Sequence, residues 1–437
     1  MMGAQFGQFG QFAYFAQFDI VIVGAGPAGL AAARSAAESG ASVALVDDNP
    51  RAGGQIWRGG PQHSAQAKEL WDELQQMANL QWFMQSRVAG AAGPAQLLLE
   101  TPLQTFKLGY RKLILATGAR ERLLPFPGWT LPGVTGAGGL QALVKGTYPV
   151  RGKRIVVAGS GPLLLAVAAT LQQQGAQVLH ILEQSSWRKL AGFALQLART
   201  PAKLRQAWQL RRQLAGVPYH ADSYVLQALG EQQLRAVQMM AGGQRMHVEC
   251  DYLACGYGLL PNIELAQALG CDITNGAVRV DAQQRSSVTD IYCAGEGSGI
   301  GGVDLALAEG HIAGRHAAGV TTAEHYWLRQ RRSQQAFARR LQSAFSLRPE
   351  LRHLCTAETL VCRCEDVAYG ALQGHASWRS AKLHTRCGMG PCQGRICGGA
   401  TDFLFGWKPD AVRLPVSPVR VASLMALADT GAEENSS

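Results

Sequence analysis

The sequence has no apolar run long enough and free enough of charge to cross a bilayer, so a membrane-spanning role is not expected. Its opening, MMGAQFGQFGQFAYFAQF, lacks the basic start and unbroken apolar stretch of a secretion signal. Residues 1–18 read instead as an N-terminal arm. With no signal, ten cysteines in 437 residues do not suggest a secreted disulfide scaffold; thiolate ligands in a reducing compartment fit better. No Ser/His/Asp or Cys/His nucleophile arrangement can be read, so the catalytic residues stay unknown and no acid–base group is assigned. The central region also has no Cys-x-x-Cys. Cys250, Cys255, Cys271 and Cys293 stand apart, as small core residues do, so dithiol chemistry of the thioredoxin reductase kind is not expected.

The length exceeds one ordinary core, and 47% hydrophobic residues with 51 glycines fit a glycine-turn-rich α/β protein. The net charge of +10 raises the question of nucleic acid. The dense basic run, Arg329, Arg331, Arg332, Arg339 and Arg340, falls on a predicted helix from about Glu324 to Phe345. A solvated helix face is the plainer reading than an acidic partner, and no nucleic acid is expected.

Asp19 to Val23 is a short apolar strand, followed by GAGPAGLAAARSAAESG and then ASVALVDDNP: a strand, a turn, an alanine-rich helix and a second strand ending in acid. Helical pattern resumes from Ser64 to Met77. The outline then repeats in GKRIVVAGSGPLLLAVAATLQQQGAQVLHILEQ, and CDYLACGYGLLPN echoes YRKLILATGARERLLP. The expected fold is α/β, with two dinucleotide-binding (Rossmann-like) domains, the second inserted in the first, and a small C-terminal cysteine-rich domain. The expected bounds are 19–130 with 256–322, an insert at 131–255, a basic helical connector at 323–355 and the cysteine-rich domain at 356–437.

Gly24-x-Gly26-x-x-Gly29 follows a strand and opens a helix through Pro27 and Ala28, with Asp47 ending the next strand. Glycines there allow a tight turn and close approach of backbone N–H groups to a pyrophosphate, and the acid is placed for a ribose hydroxyl. FAD is favoured over NAD by later pieces: Gly54-Gln55 in a loop, Thr117-Gly118 ending a strand, and Gly295-Glu296 ending another before GIGGVDLALAEG. The second turn, Gly159-x-Gly161, carries Leu164 where the third glycine belongs, with Glu183 ending the following strand. A leucine there would push the helix away or fill the groove, so the fold signal survives and the binding signal is damaged. Electrons are then expected from a substrate oxidised elsewhere, not from NAD(P)H. His311 is read as a packed helix residue.

Near the C-terminus, VCRCEDV holds Cys362 and Cys364, and TRCGMGPCQGRICGG holds Cys387, Cys392 and Cys397. Five cysteines among glycines suit a soft metal centre. A [2Fe–2S] cluster needs four thiolates, and zinc is the competitor. Cys362, Cys364, Cys392 and Cys397 are the candidate ligands, with Cys387 able to displace one of them.

The chain resembles the larger FAD- and iron–sulfur-containing subunit of heteromeric amino-acid dehydrogenases. That group includes the alpha subunit of D-hydroxyproline dehydrogenase, the A-type subunit of octopine or nopaline oxidase and the B-type subunit of hydrogen cyanide synthase. The pieces that carry the resemblance are GARERLLPFPGWTLPGV, GSGPLLLAVAATL, GEGSGIGGVDLALAEG and TRCGMGPCQGRIC. The last also resembles the bacterioferritin-associated ferredoxin domain. The resemblance implies a division of labour. A catalytic, FAD-containing, amino-acid-oxidase-like partner removes hydride from the amino acid or opine, and this kind of subunit takes the electrons, often through an FMN at the interface. A small ferredoxin-like third subunit is often present. The expected location is cytoplasmic, or peripheral to the inner membrane. The alternative is a self-sufficient NAD(P)H-dependent flavin and iron–sulfur reductase.

Overall fold

The structure, a computed structural model, describes residues 15–58, 60–61, 64–197, 200–320, 325–409 and 412–428. Most of the expected N-terminal arm, residues 1–14, lies outside the described residues. Two compact units form: one from Met1–Gly118, Asn262–Arg331 and Val412–Ser437, the other from Ala119–Pro261 and Arg332–Ala411. The fold is mixed α/β, as expected from the sequence.

The first unit is built on a sheet in which Leu80–Phe83, Val43–Val46, Phe15–Val23 and Thr105–Leu115 lie side by side in parallel. Ile291–Cys293 extends it, parallel to Leu113–Leu115. Gln96–Glu100 pairs antiparallel onto the first half of Thr105–Leu115, and Arg87–Gly93 pairs antiparallel with Gln96–Glu100 in turn. The central strands are apolar on both faces because each face is buried: one packs on helices, and the other on Leu97 and Leu99 of the antiparallel strand and on Leu265, Ala266 and Cys271. On the helical side, Pro27–Glu38 packs on Val303–Ala317. The small residues there have a physical reason: a Cβ on Gly310 or Gly314 would fall 2.2 or 2.3 Å from the carbonyl oxygen of Ala28 or Ala32. Val416 donates its N–H to the Ala89 carbonyl, and Arg420 to the Glu100 carboxylate. Residues 412–428 thus group with this unit, whereas they were expected in the cysteine-rich domain.

The second unit repeats the scheme with a five-stranded parallel sheet ordered Tyr219–His220, Gln177–Glu183, Arg154–Gly159, Tyr252–Gly256, Val134–Gly136. Helices Ala137–Lys145 and Leu163–Gln173 bury their apolar faces on it. An antiparallel meander, Tyr224–Leu229, Ala236–Ala241 and Gln244–Glu249, stands beside it, and a two-stranded ribbon of Ala119–Glu121 and Leu259–Pro261 marks where the chain enters and leaves. The cysteine-rich part belongs to this unit, with its own small core of Val361, Leu372, Trp378, Ala381 and Ala400. Among the described residues no helix is long and apolar enough to cross a membrane.

Two glycine turns and a cysteine centre

In the first turn the strand Phe15–Val23 ends at Gly24, and the helix starts at Pro27. Proline suits that position, since its missing N–H would have had no helical partner. A Cβ on Gly29 would lie 1.7 Å from the Gly24 carbonyl oxygen, so only glycine lets the helix seat this close to the turn. The amides of Gly26, Ala28 and Gly29 have no protein acceptor among the described residues, at a helix N-terminus where positive partial charge collects. Asp47 accepts the Ala25 N–H at 2.7 Å and, on its other oxygen, the Asn49 N–H and side-chain amide at 2.8 and 2.7 Å. One of its four lone-pair directions is left over.

The other candidates gather around this turn. Gly53 donates to the Ala25 carbonyl, which folds the loop over the turn and brings Gly54 against Gly26. Gly295 sits against Ala28, and Gly297 faces the Thr117 hydroxyl. Burial pushes the Glu296 carboxyl up, and the hydrogen bond it accepts from the Gly302 N–H offsets part of that. Gly118 accepts the Asn262 N–H at 3.0 Å, which ties the two ends of this unit's chain together. Gln55 is the exception: its side chain is exposed and accepts from Arg58. A cradle of free amides, glycine-lined backbone and one remaining acidic lone pair fits a dinucleotide diphosphate and ribose.

The second turn is a different object. Leu164 is fully buried in the core between strand and helix, beside Ala137, Val157 and Ala168. The leucine therefore fills the groove, as the sequence suggested it could. The helix begins one position later than its counterpart, at Leu163, and the Leu164 N–H closes onto the Gly161 carbonyl at 3.1 Å. Glu183 is fully buried; its carboxylate accepts the N–H groups of Gly161 and Ser185 at 2.7 and 2.8 Å, while burial pushes its proton affinity up.

The cysteines come together in two sets. Cys362, Cys387 and Cys397 are buried, with sulfurs all within 4.8 Å of one another. Cys362 is driven toward the thiolate by hydrogen bonds from Cys387 and then Cys397. Donating to it pushes Cys387 up to about 12 and raises Cys397 as well. Three buried thiols sharing protons in this way is the donor chemistry that a soft cation relieves. Cys364, exposed, lies against the half-buried Cys392; burial first, then its contact with Cys392 and the charge of Cys362, raise it, and the charge of Cys392 in turn raises Cys387. Cys387, expected only as an alternate ligand, thus stands with Cys362 and Cys397, while Cys364 and Cys392 stand beside them. The four cysteines of the central region are buried and unpaired, as core residues.

The sequence pattern of the pyridine nucleotide-disulphide oxidoreductases matches residues 18–317. The chain belongs to that family. Within it, the chain is 33% identical to the hydrogen cyanide synthase subunit HcnB of Pseudomonas protegens, over 91% of this chain and 96% of that protein. It is 31% identical to the A-type opine oxidase subunit of Rhizobium meliloti, over 94% and 99%. The expected kinship with these subunits holds. In fold it is similar to L-proline dehydrogenase from P. horikoshii, with a TM-score of 0.68 at 19% identity over 96% of this chain and 82% of that one. A thioredoxin reductase from T. acidophilum, with a TM-score of 0.54 at 22% identity, covers 69% of this chain and 98% of its own. Among the described residues, the cysteines within the matched stretch, Cys250, Cys255, Cys271 and Cys293, form no disulfide.

Several residues that shape the sites in this family member were missed by sequence reasoning. Glu309, 3% exposed, accepts the Gly295 N–H at 3.0 Å, and the Ser298 hydroxyl lies 3.0 Å from the same oxygen. Arg331 reaches the other oxygen at 3.7 Å and donates to the carbonyls of Ala282 and Asp281, so it belongs to a buried brace and not to the solvated face expected of the basic run. An acid in the interior of the Ala/Gly-rich helix was the available signal. Asn262 clasps Thr117 through both its backbone and its side chain. Glu121, in the GARERLLP stretch, accepts the N–H groups of Gly138 and Gly139 at 2.6 and 2.9 Å at a helix start. His311 is packed as expected: it bonds Ser35 at 2.7 Å, stacks on Trp327 at 4.0 Å and is pushed down to about 4 by burial first, then Arg34 and Arg315.

Proposed function

We propose that the chain is the FAD- and iron–sulfur-carrying, electron-accepting subunit of a heteromeric amino-acid or opine dehydrogenase, served by a catalytic flavin-containing partner subunit. The observation that supports this best is the combination in one chain of a first turn with free amides at its helix start, a second turn whose second-glycine amide and acid engage each other, and a five-cysteine centre. Its kinship with HcnB and the A-type opine oxidase subunit, both named as subunits, supports the need for a partner.

FAD would be held by Gly24, Gly26, Pro27, Ala28, Gly29, Asp47, Gly54, Gln55, Thr117, Gly118, Gly295 and Glu296. When bound, it supplies the exchange between two-electron and one-electron chemistry that such a subunit requires. The chain's own part is positional. The first-turn amides of Pro27–Glu38 offer donors to a diphosphate, Asp47 offers an acceptor to a ribose hydroxyl, and Glu309 fixes the loop that carries Gly295 and Glu296. A [2Fe–2S] cluster would take Cys362, Cys364, Cys392 and Cys397, or Cys387 in place of one of them. An FMN at the partner interface, a small ferredoxin-like third subunit and a cytoplasmic or membrane-peripheral location belong to the same proposal.

The family's name favours one alternative, a reductase fed by NAD(P)H, and the state of the second turn weighs against it. The test is co-purification without removing neighbouring subunits, followed by analysis of every bound chromophore and of turnover with candidate amino acids and opines. The proposal requires FAD and iron with sulfide on this chain and turnover only with a partner present. Zinc in place of iron would remove its second half.

A further inference from the structure

We infer that the chain itself occupies its second dinucleotide turn: the segment Phe345–Arg348 is an internal occupant that seals this turn against pyridine nucleotides and so restricts the electron donor. The inference needs no flavin and stands apart from the proposed function.

The second glycine of such a turn is there so that a pyrophosphate can approach the backbone. In the first turn the neighbour at that place is a glycine with no side chain: a Cβ on Gly26 would meet the Gly54 Cα at 3.9 Å. In the second turn, the ring of Phe345 stands 3.9 Å from where a Cβ of Gly161 would be. The middle residue, Ser160, is 8% exposed and donates its hydroxyl to the Phe345 carbonyl at 2.9 Å. Gln184, directly after the acid-bearing strand, is 1% exposed. Its side-chain nitrogen reaches the Ser160 hydroxyl at 2.9 Å and the Ser346 carbonyl at 3.2 Å, while its oxygen accepts the Arg348 N–H at 2.9 Å. Lys189 bonds the Ser346 hydroxyl at 2.8 Å. On the far side Phe345 meets Phe193 edge to face at 5.3 Å, and Arg348 lies over the Tyr224 ring at 5.1 Å.

The groups a nucleotide would use are engaged as well. The Ser160 N–H goes to the Gly256 carbonyl, the Gly161 N–H to Glu183 and the Leu164 N–H to Gly161, while Pro162 has none. Of the amides from Ser160 to Leu165, those of Leu163 and Leu165, at the helix start, make no hydrogen bond among the described residues. A buried glutamine met at both ends of one backbone segment is a fitted contact: without the segment its oxygen would lose the Arg348 N–H and be orphaned, while its nitrogen would keep the hydroxyls of Ser160 and Ser185. The occupant therefore stands where an open turn of this kind would receive its ligand.

Two measurements on the full chain with its cofactors test this. The first is equilibrium dialysis against NADH, NADPH and ADP at millimolar concentration. No saturable binding is expected, or else binding that is indifferent to Glu183→Gln and so lies away from this turn. Saturable binding that the variant weakens overturns the inference. The second is hydrogen exchange at Arg348. Its amide should be protected in the native chain, and Gln184→Ala should speed its exchange by about tenfold or more, the loss of one buried hydrogen bond. A fast-exchanging Arg348 amide in the native chain means that the segment does not sit on the turn, and overturns it equally.

Discussion

Replacing Glu309 probes the link between a buried brace and the loop expected to hold the flavin. The carboxylate is 3% exposed and holds the Gly295 N–H, with the Ser298 hydroxyl and the Arg331 guanidinium in reach. Hydrogen bonds to a charged acceptor contribute about 1.5–3 kcal/mol each, and removing one partner of a buried pair costs about 3–5 kcal/mol. Arg331 keeps two carbonyl acceptors, on Ala282 and Asp281, which places Glu309→Ala near about 3 kcal/mol. Glu309→Gln retains an acceptor oxygen and should cost about 1–2 kcal/mol. The loop carries Gly295 and Glu296, so flavin affinity should fall with stability, about tenfold for each 1.4 kcal/mol that reaches the bound state. Urea unfolding with and without added FAD, read by tryptophan and by flavin fluorescence, measures both. A Glu309→Ala variant that unfolds at the native urea concentration and retains FAD as tightly as the native chain would refute the reasoning.

Gly29→Ala places a Cβ 1.7 Å from a carbonyl oxygen, so it should cost upward of about 3 kcal/mol and strip the yellow chromophore, visible on desalting. Leu164→Ala empties a fully buried site and should destabilise the second unit by about 2–5 kcal/mol, yet create no pyridine-nucleotide response in a flavin-bleaching assay. His311 has its pKa depressed to about 4 from 6.5 on folding. The unfolded chain therefore takes up the proton first as pH falls, and stability should decline between about pH 6.5 and 4 by about 3 kcal/mol; His311→Gln should flatten that part of the denaturation profile. Cys392→Ser should abolish iron–sulfur absorbance and leave flavin bound, which visible spectra and iron assay on the same sample separate.

Local patterns were the legible part. The first turn, its helix and its acid lie within thirty or so residues and announce themselves by residue type, since glycine at each position answers a steric demand. The helix expected from Ser64 is present as Ala65–Gln75, with the Ser64 hydroxyl accepting the Ala67 N–H as its cap. The break at Leu164 was legible too, though not which of its two consequences would follow. What the sequence hid were pairings between distant segments. Arg331 sits in a run of arginines spaced like a solvated face, and only the fold turns it onto Glu309. Gln184 and Phe345 are 161 positions apart by number and ordinary in type, so nothing local marks them as partners in one contact. Among the cysteines, spacing could not separate Cys387 from its neighbours, because a trio within 4.8 Å depends on how the glycine-rich loop folds back.

The central claim is that this chain accepts electrons from another polypeptide. The direct measurement is anaerobic stopped-flow of the purified chain, loaded with its cofactors, mixed with NADH, with candidate amino acids and opines, and with those substrates plus the partner subunit. The account predicts that flavin and cluster absorbance bleach only in the last mixture. Rapid bleaching of the isolated chain by NADH, or by an amino acid or opine alone, would contradict it.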